Sequence, residues 1–163
     1  MLAAGTNLFV GSWLGGATLS ALEVTVLRWI SDMLGYPSDA AGILMSGGSM
    51  ANLIALASAR AKHNPHVLRN GRIYVSAEGH ASVNKAAFIL GFPAEAIRTI
   101  GVDDCFRIKT GELNHAITND RTAGKQPIIV VANGGTMNTG AIDPLPEICQ
   151  CSKLWFHVDA AYG

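Results

Sequence analysis

Ile128-Ile129-Val130-Val131-Ala132-Asn133-Gly134-Gly135-Thr136 is the stretch that decides the fold. Its first five residues are apolar at successive positions, the pattern of a strand covered on both faces and so of a parallel sheet between helices. Working outward, short apolar runs at 42–45, 72–76, 97–100 and 155–158 read as further strands, and helical patterns at 49–60, 82–90, 112–119 and 145–150 separate them. This alternation predicts an α/β fold of three layers, a mainly parallel sheet flanked by helices. In such sheets the ligand crevice lies outside the carboxyl ends of the strands, so the residues just after each strand are those to read for chemistry.

Upstream, Leu22, Val26, Trp29, Ile30 and Met33 share a face of a helix expected over 20–34, with Ser20 and Glu23 as a capping box and with Gly35 and Pro37 ending it. No repeat, low-complexity tract or linker divides the chain, which is expected to be one unit. With 163 residues, 49% hydrophobic and 15% charged, it has a globular composition and enough length for a core. Its net charge of zero gives no electrostatic footprint for nucleic acid or an anionic membrane, so a small-molecule partner is expected. No apolar stretch reaches the roughly 18 residues of a spanning helix, and no basic n-region marks a signal peptide, so the expected location is the cytoplasm. Cys105, Cys149 and Cys151 are expected as reduced thiols. Cys149 and Cys151 near His157 lack the C-x₂-C spacing and a fourth ligand, so no metal is expected.

Four segments sit at expected strand ends. Ser46-Gly47-Gly48-Ser49-Met50-Ala51-Asn52 runs from a glycine turn into a helix, aiming free N–H groups and the positive helix end at an anion. Gly47 and Gly48 let the backbone approach a phosphate and Ser49 adds a hydroxyl, although a plain turn with a Ser cap reads the same residues. The segment matches neither dinucleotide nor P-loop spacing. In Ser76-Ala77-Glu78-Gly79-His80-Ala81-Ser82, His80 offers a flat face and a titratable nitrogen, or is simply a solvated turn histidine. Asn133-Gly134-Gly135-Thr136-Met137-Asn138-Thr139 has the glycines, hydroxyls and amides to wrap a ligand, while Asp143-Pro144 suits the cap and first turn of the next helix. Finally, His157-Val158-Asp159-Ala160-Ala161 closes an apolar strand with an Asp that is costly to bury unless a cation meets it, a protonated ring nitrogen or an Arg, or unless it caps the following loop.

In this order the segments resemble the group II pyridoxal-phosphate decarboxylases, the family of aromatic-amino-acid, histidine and glutamate decarboxylases. The resemblance, from about Thr18 to Gly163, extends to Leu22-Glu23, Trp29 and Leu34-Gly35-Tyr36-Pro37. It implies part of the large domain of a fold-type I enzyme over 1–163, binding pyridoxal 5'-phosphate. The preceding N-terminal segment, the Schiff-base lysine region and the C-terminal small domain would be absent, and the resemblance leaves open whether Met1 is the native start. The implied cofactor-binding residues are Gly47, Gly48, Ser49, His80, Thr136, Asp159 and Ala161. Gly48 and Ser49 would hold the phosphate, His80 and Ala161 the two faces of the ring, and Asp159 the ring nitrogen. His80 and Asp159 are the implied catalytic residues.

The implied reaction is removal of the α-carboxylate of an L-amino acid, by a homodimer. Lys62, Lys85, Lys109, Lys125 and Lys153 are all outside the family's lysine motif, so the chain by itself is expected to be inactive. Where many relatives read Gly-Thr-Thr, this chain has Gly135-Thr136-Met137, and the missing hydroxyl's role is expected to pass to Thr136 or Thr139. An aldehyde-forming enzyme of the same fold, such as a sphingosine-phosphate lyase, and a non-catalytic derivative remain the alternatives.

Overall fold

The structure, a computed structural model, describes residues 5, 11–63, 69–152 and 154–163. Met1, Lys153 and the Cys151 side chain, all named above, lie outside the described residues. Cys105 and Cys149 are free and exposed. Contacts cluster into two units, Met1–Met45 and Ser46–Gly163.

In the first unit, helix α1 (Trp13–Met33) begins before the expected residue 20. Gly16, at φ −140° and ψ 31°, kinks it instead of stopping it, so Ser20 lies inside the helix and the expected capping box does not form. Glu23 is used elsewhere: its Oε1 accepts from the Leu44 N–H at 3.1 Å. The helix ends as its composition demands, at Gly35 in the left-handed region (φ +70°), where a side chain would be strained. The strand expected at 42–45 is absent. A strand needs a ladder partner for its N–H and C=O groups, and here the Leu44 N–H pairs with a side chain while Ile43 and Leu44 stay 62% and 52% exposed.

The second unit runs α2 (Gly48–Lys62), β1 (Gly71–Ser76), α3 (Ala81–Ile89), a 3₁₀ turn (Ala94–Ala96), β2 (Ile97–Ile100), α4 (Thr110–Thr122), β3 (Gln126–Asn133), α5 (Leu145–Ser152) and β4 (Trp155–Asp159). The strands lie in the order β2-β1-β3-β4 and every pairing is parallel. Successive strand residues face opposite sides. Ile73, Val75, Ile129 and Val131 pack with Leu56 and Ala59 of α2 and Val83 and Ala86 of α3. Tyr74, Val130 and Ala132 pack with Leu113 and Ile117 of α4 and Ile148 of α5. This is the three-layer arrangement, and each buried Val, Leu or Ile contributes roughly 1.5–3 kcal/mol. No helix among the described residues is long and apolar enough to cross a membrane.

Candidate active site

The carboxyl ends of β1, β3 and β4 come together with the start of α2. Parallel register sets Asn133, the last residue of β3, beside Asp159, the last of β4. The turn after β1 carries Glu78 and His80, and His80 is the N-cap of α3. Gly47, at φ +141°, turns the chain into α2, a conformation that favours glycine. Gly48, Ser49, His80, Thr136, Asp159 and Ala161 all line one cavity of about 170 Å³. Gly47 is the one implied cofactor residue outside that lining. The lining also includes Asn133, Gly135 and Met137 of the glycine-rich loop after β3, and Asn52, Glu78 and Tyr162, which had been given no role from sequence.

Asp159 is half-buried. Its Oδ2 accepts from the Asn52 amide nitrogen at 2.8 Å and its Oδ1 from the Ala161 N–H at 3.4 Å. Among the described residues no Lys or Arg forms an ion pair with it. Asn52, buried on α2, also donates to Ser82 Oγ at 2.8 Å, and its Oδ1 lies 2.7 Å from His157 Nε2. His80 Nδ1 accepts from the Ser82 N–H at 3.2 Å and lies 2.7 Å from the Ser82 hydroxyl. Burial pushes the His157 imidazole below its ordinary titration range, with Asp159 pulling it the other way.

Two expectations for the loop after β3 change. Thr139 does not line the cavity; its hydroxyl is turned to that of Thr136 at 2.6 Å, and both accept from the Ala141 N–H, so of the two it is Thr136 whose side chain lines the cavity. Asp143 does not cap α5 with its side chain. Its carboxylate is buried, accepting from the Ile108 N–H at 2.7 Å and from the Asn133 N–H and amide at 2.7 and 3.0 Å. It therefore anchors the cavity-lining Asn133 at the end of β3.

Chemically, the cavity combines the positive N-terminal end of α2, the His80 imidazole, the Ala161 methyl group and a carboxylate that forms no ion pair with Lys or Arg among the described residues. Of the lining residues without a role from sequence, Asn52 alone carried a usable sequence signal: a polar residue on the buried stripe of α2, four residues after Gly48 and four before Leu56.

The family profile described as "Pyridoxal-dependent decarboxylase conserved domain" matches residues 1–163. An aromatic-L-amino-acid decarboxylase of Bacillus atrophaeus is 42% identical over 165 residues, which cover 99% of this chain and 34% of that protein. An L-2,4-diaminobutyrate decarboxylase of Rhizobium meliloti is 35% identical, with 100% and 34% covered. The crystal structure of mouse CSAD matches with a TM-score of 0.92 at 30% identity, over 99% of this chain and 36% of that one. The chain thus spans about a third of the length of the curated relatives it matches.

Proposed function

This chain belongs to the pyridoxal-dependent decarboxylase family, and on that premise we propose that the protein carrying it removes the α-carboxylate of an L-amino acid, releasing a primary amine and carbon dioxide with pyridoxal 5'-phosphate as coenzyme. The observation that carries the reading is Asp159, a carboxylate lining a strand-end cavity with hydrogen-bond donors but no Lys or Arg ion pair among the described residues. A half-buried carboxylate calls for a cation, and a protonated pyridine nitrogen is one.

The residues present fit the coenzyme. A Cβ at position 48 would come within 3.2 Å of the Ala161 Cβ, so glycine keeps open a cradle that a side chain would fill. The N–H groups of Gly48 and Ser49, in the first turn of the 15-residue α2, have no intrahelical acceptor and would hold the phosphate at the positive helix end, with the Ser49 hydroxyl beside them. His80 would take one face of the ring and Ala161 the other, with Thr136 at the rim. Bound there, the coenzyme supplies the electron-withdrawing ring that takes up the charge left on the α-carbon. Asp159 keeps the proton on the ring nitrogen, because a nearby opposite charge favours the charged form. His80, its Nδ1 occupied by Ser82, keeps Nε2–H as the ring donor for the substrate.

The test uses the whole protein. Added pyridoxal phosphate should produce a visible band that shifts with L-amino acids, and amine and carbon dioxide should appear in equal amounts. Aldehyde in place of amine would assign the cavity to another lyase of the fold. The same reading carries a cytoplasmic homodimer, checked by light scattering of the whole protein and by cell fractionation.

A further inference from the structure

The buried residue that joins Asp159 to His80 is Asn52. It stands on the α2 stripe with Gly48, Leu56 and Ala59, and Leu56 and Ala59 belong to the apolar core. An amide in such a stripe is costly unless its polar atoms are paired, and here all are. Their roles follow from chemistry. A carboxylate oxygen accepts, so the amide nitrogen must face Asp159 Oδ2, 2.8 Å away. Its second hydrogen goes to Ser82 Oγ at 2.8 Å, which frees the serine hydroxyl hydrogen for His80 Nδ1 at 2.7 Å. The amide oxygen accepts, so His157 Nε2, 2.7 Å away, carries a hydrogen. Asn52 reversed would set its oxygen against the carboxylate, so the His157 hydrogen locks the amide the right way round.

We propose that Asn52 is a positioning residue that holds Asp159 and, through Ser82, His80 as one hydrogen-bonded unit, with His157 fixing its orientation. The proposal rests on the reading that Asp159 and His80 flank pyridoxal phosphate. Asn52 does no chemistry of its own; it makes the charge at the ring nitrogen and the imidazole on the ring face parts of a single rigid set. The branching has a consequence: a change at Asn52 disturbs both arms, while a change at Ser82 disturbs only the His80 arm.

The test is ¹⁵N NMR of the whole protein with labelled histidine rings, before and after addition of pyridoxal phosphate. In the unaltered protein His80 and His157 should both show hydrogen on Nε2, and His80 Nδ1 should show an accepted hydrogen bond. Asn52→Leu removes the acceptor of His157 and should shift its ring signals as well as those of His80. It should also weaken coenzyme binding on the order of ten- to a hundredfold, the usual cost of losing an outer partner at a metal site. Ser82→Ala should move His80 and leave His157 in place, a pattern that general loosening would not produce. Unchanged His157 signals or unchanged coenzyme affinity in Asn52→Leu would overturn the proposal. If that variant does not fold, an unchanged His80 in Ser82→Ala overturns it equally. A whole protein that binds no coenzyme yet shows both histidine responses would reject the functional reading and still support the hydrogen-bonded unit.

Discussion

Asp120 and Asp159 are both tied into side-chain networks of the sheet unit, in opposite ways. Asp120 is buried and meets two guanidiniums and a phenol: Arg98 at 2.6 Å, Arg72 at 3.7 Å and the Tyr74 hydroxyl at 2.9 Å. Burial by itself would raise its pKa, but Arg98 and Tyr74 outweigh burial and hold the carboxyl below the ordinary range. The Tyr74 phenol is pushed up by its burial and by the Asp120 hydrogen bond. Asp159, by contrast, has an amide and one backbone N–H at the mouth of a strand. A carboxylate whose charge is matched inside the protein holds the fold; one left unmatched beside a cavity has room for a cation from outside.

The strongest way to break the contrast is Asp120→Ala. Arg98 is half-exposed and can turn to water, but Arg72 is only 4% exposed and would be left buried without its counter-charge. The expected cost is about 3–5 kcal/mol of unfolding free energy, measured by denaturant titration, with activity following the folded fraction. A loss under 1 kcal/mol, the scale of surface pairs, would make Asp120 equivalent to an exposed carboxylate. Asp159→Ala should do the reverse: turnover falls on the order of 10²–10³-fold, as when one preorganised electrostatic group is removed, while stability falls by less than in Asp120→Ala, about 1–3 kcal/mol for the buried Asn52 amide left without its acceptor. Steady-state kinetics and thermal melts of the same sample separate the two outcomes.

A smaller effect is expected at Asp143, which supports the cavity from behind. Asp143→Ala strands the buried Asn133 and Ile108 N–H groups and should cost about 1–3 kcal/mol. Smallest is a pH effect. A depressed native pKa means that Asp120 contributes stability above its unfolded value, near pH 3.9, and that the contribution is lost as the pH falls through the native value. Asp120→Asn should flatten the acid limb of stability against pH in that interval, and an unchanged slope would show that Asp120 has an ordinary pKa.

The features legible in the sequence were those set by neighbours along the chain. Apolar runs such as 128–132 marked strands because their periodicity is local, and glycine turns after strands marked the cavity because parallel topology brings all carboxyl ends to one edge. Local signals misled where a distant group competed. Ser20 and Glu23 had the spacing of a cap, yet α1 continues through them and Glu23 pairs with Leu44. Asp143 had the right place for a cap, yet its partners are Asn133 and Ile108, ten and 35 positions away. Asn52 was visible as a polar residue in an apolar stripe, but its partner Asp159 lies 107 positions along the chain, a pairing that only the folded sheet creates.

The central claim, that Asp159 faces the ring nitrogen of the coenzyme, is tested most directly by loading the whole protein with pyridoxal phosphate carrying ¹⁵N in its ring and recording the nitrogen signal. A protonated pyridine nitrogen is expected in the unaltered protein and a neutral one in Asp159→Ala. The same nitrogen signal in both would contradict the assignment.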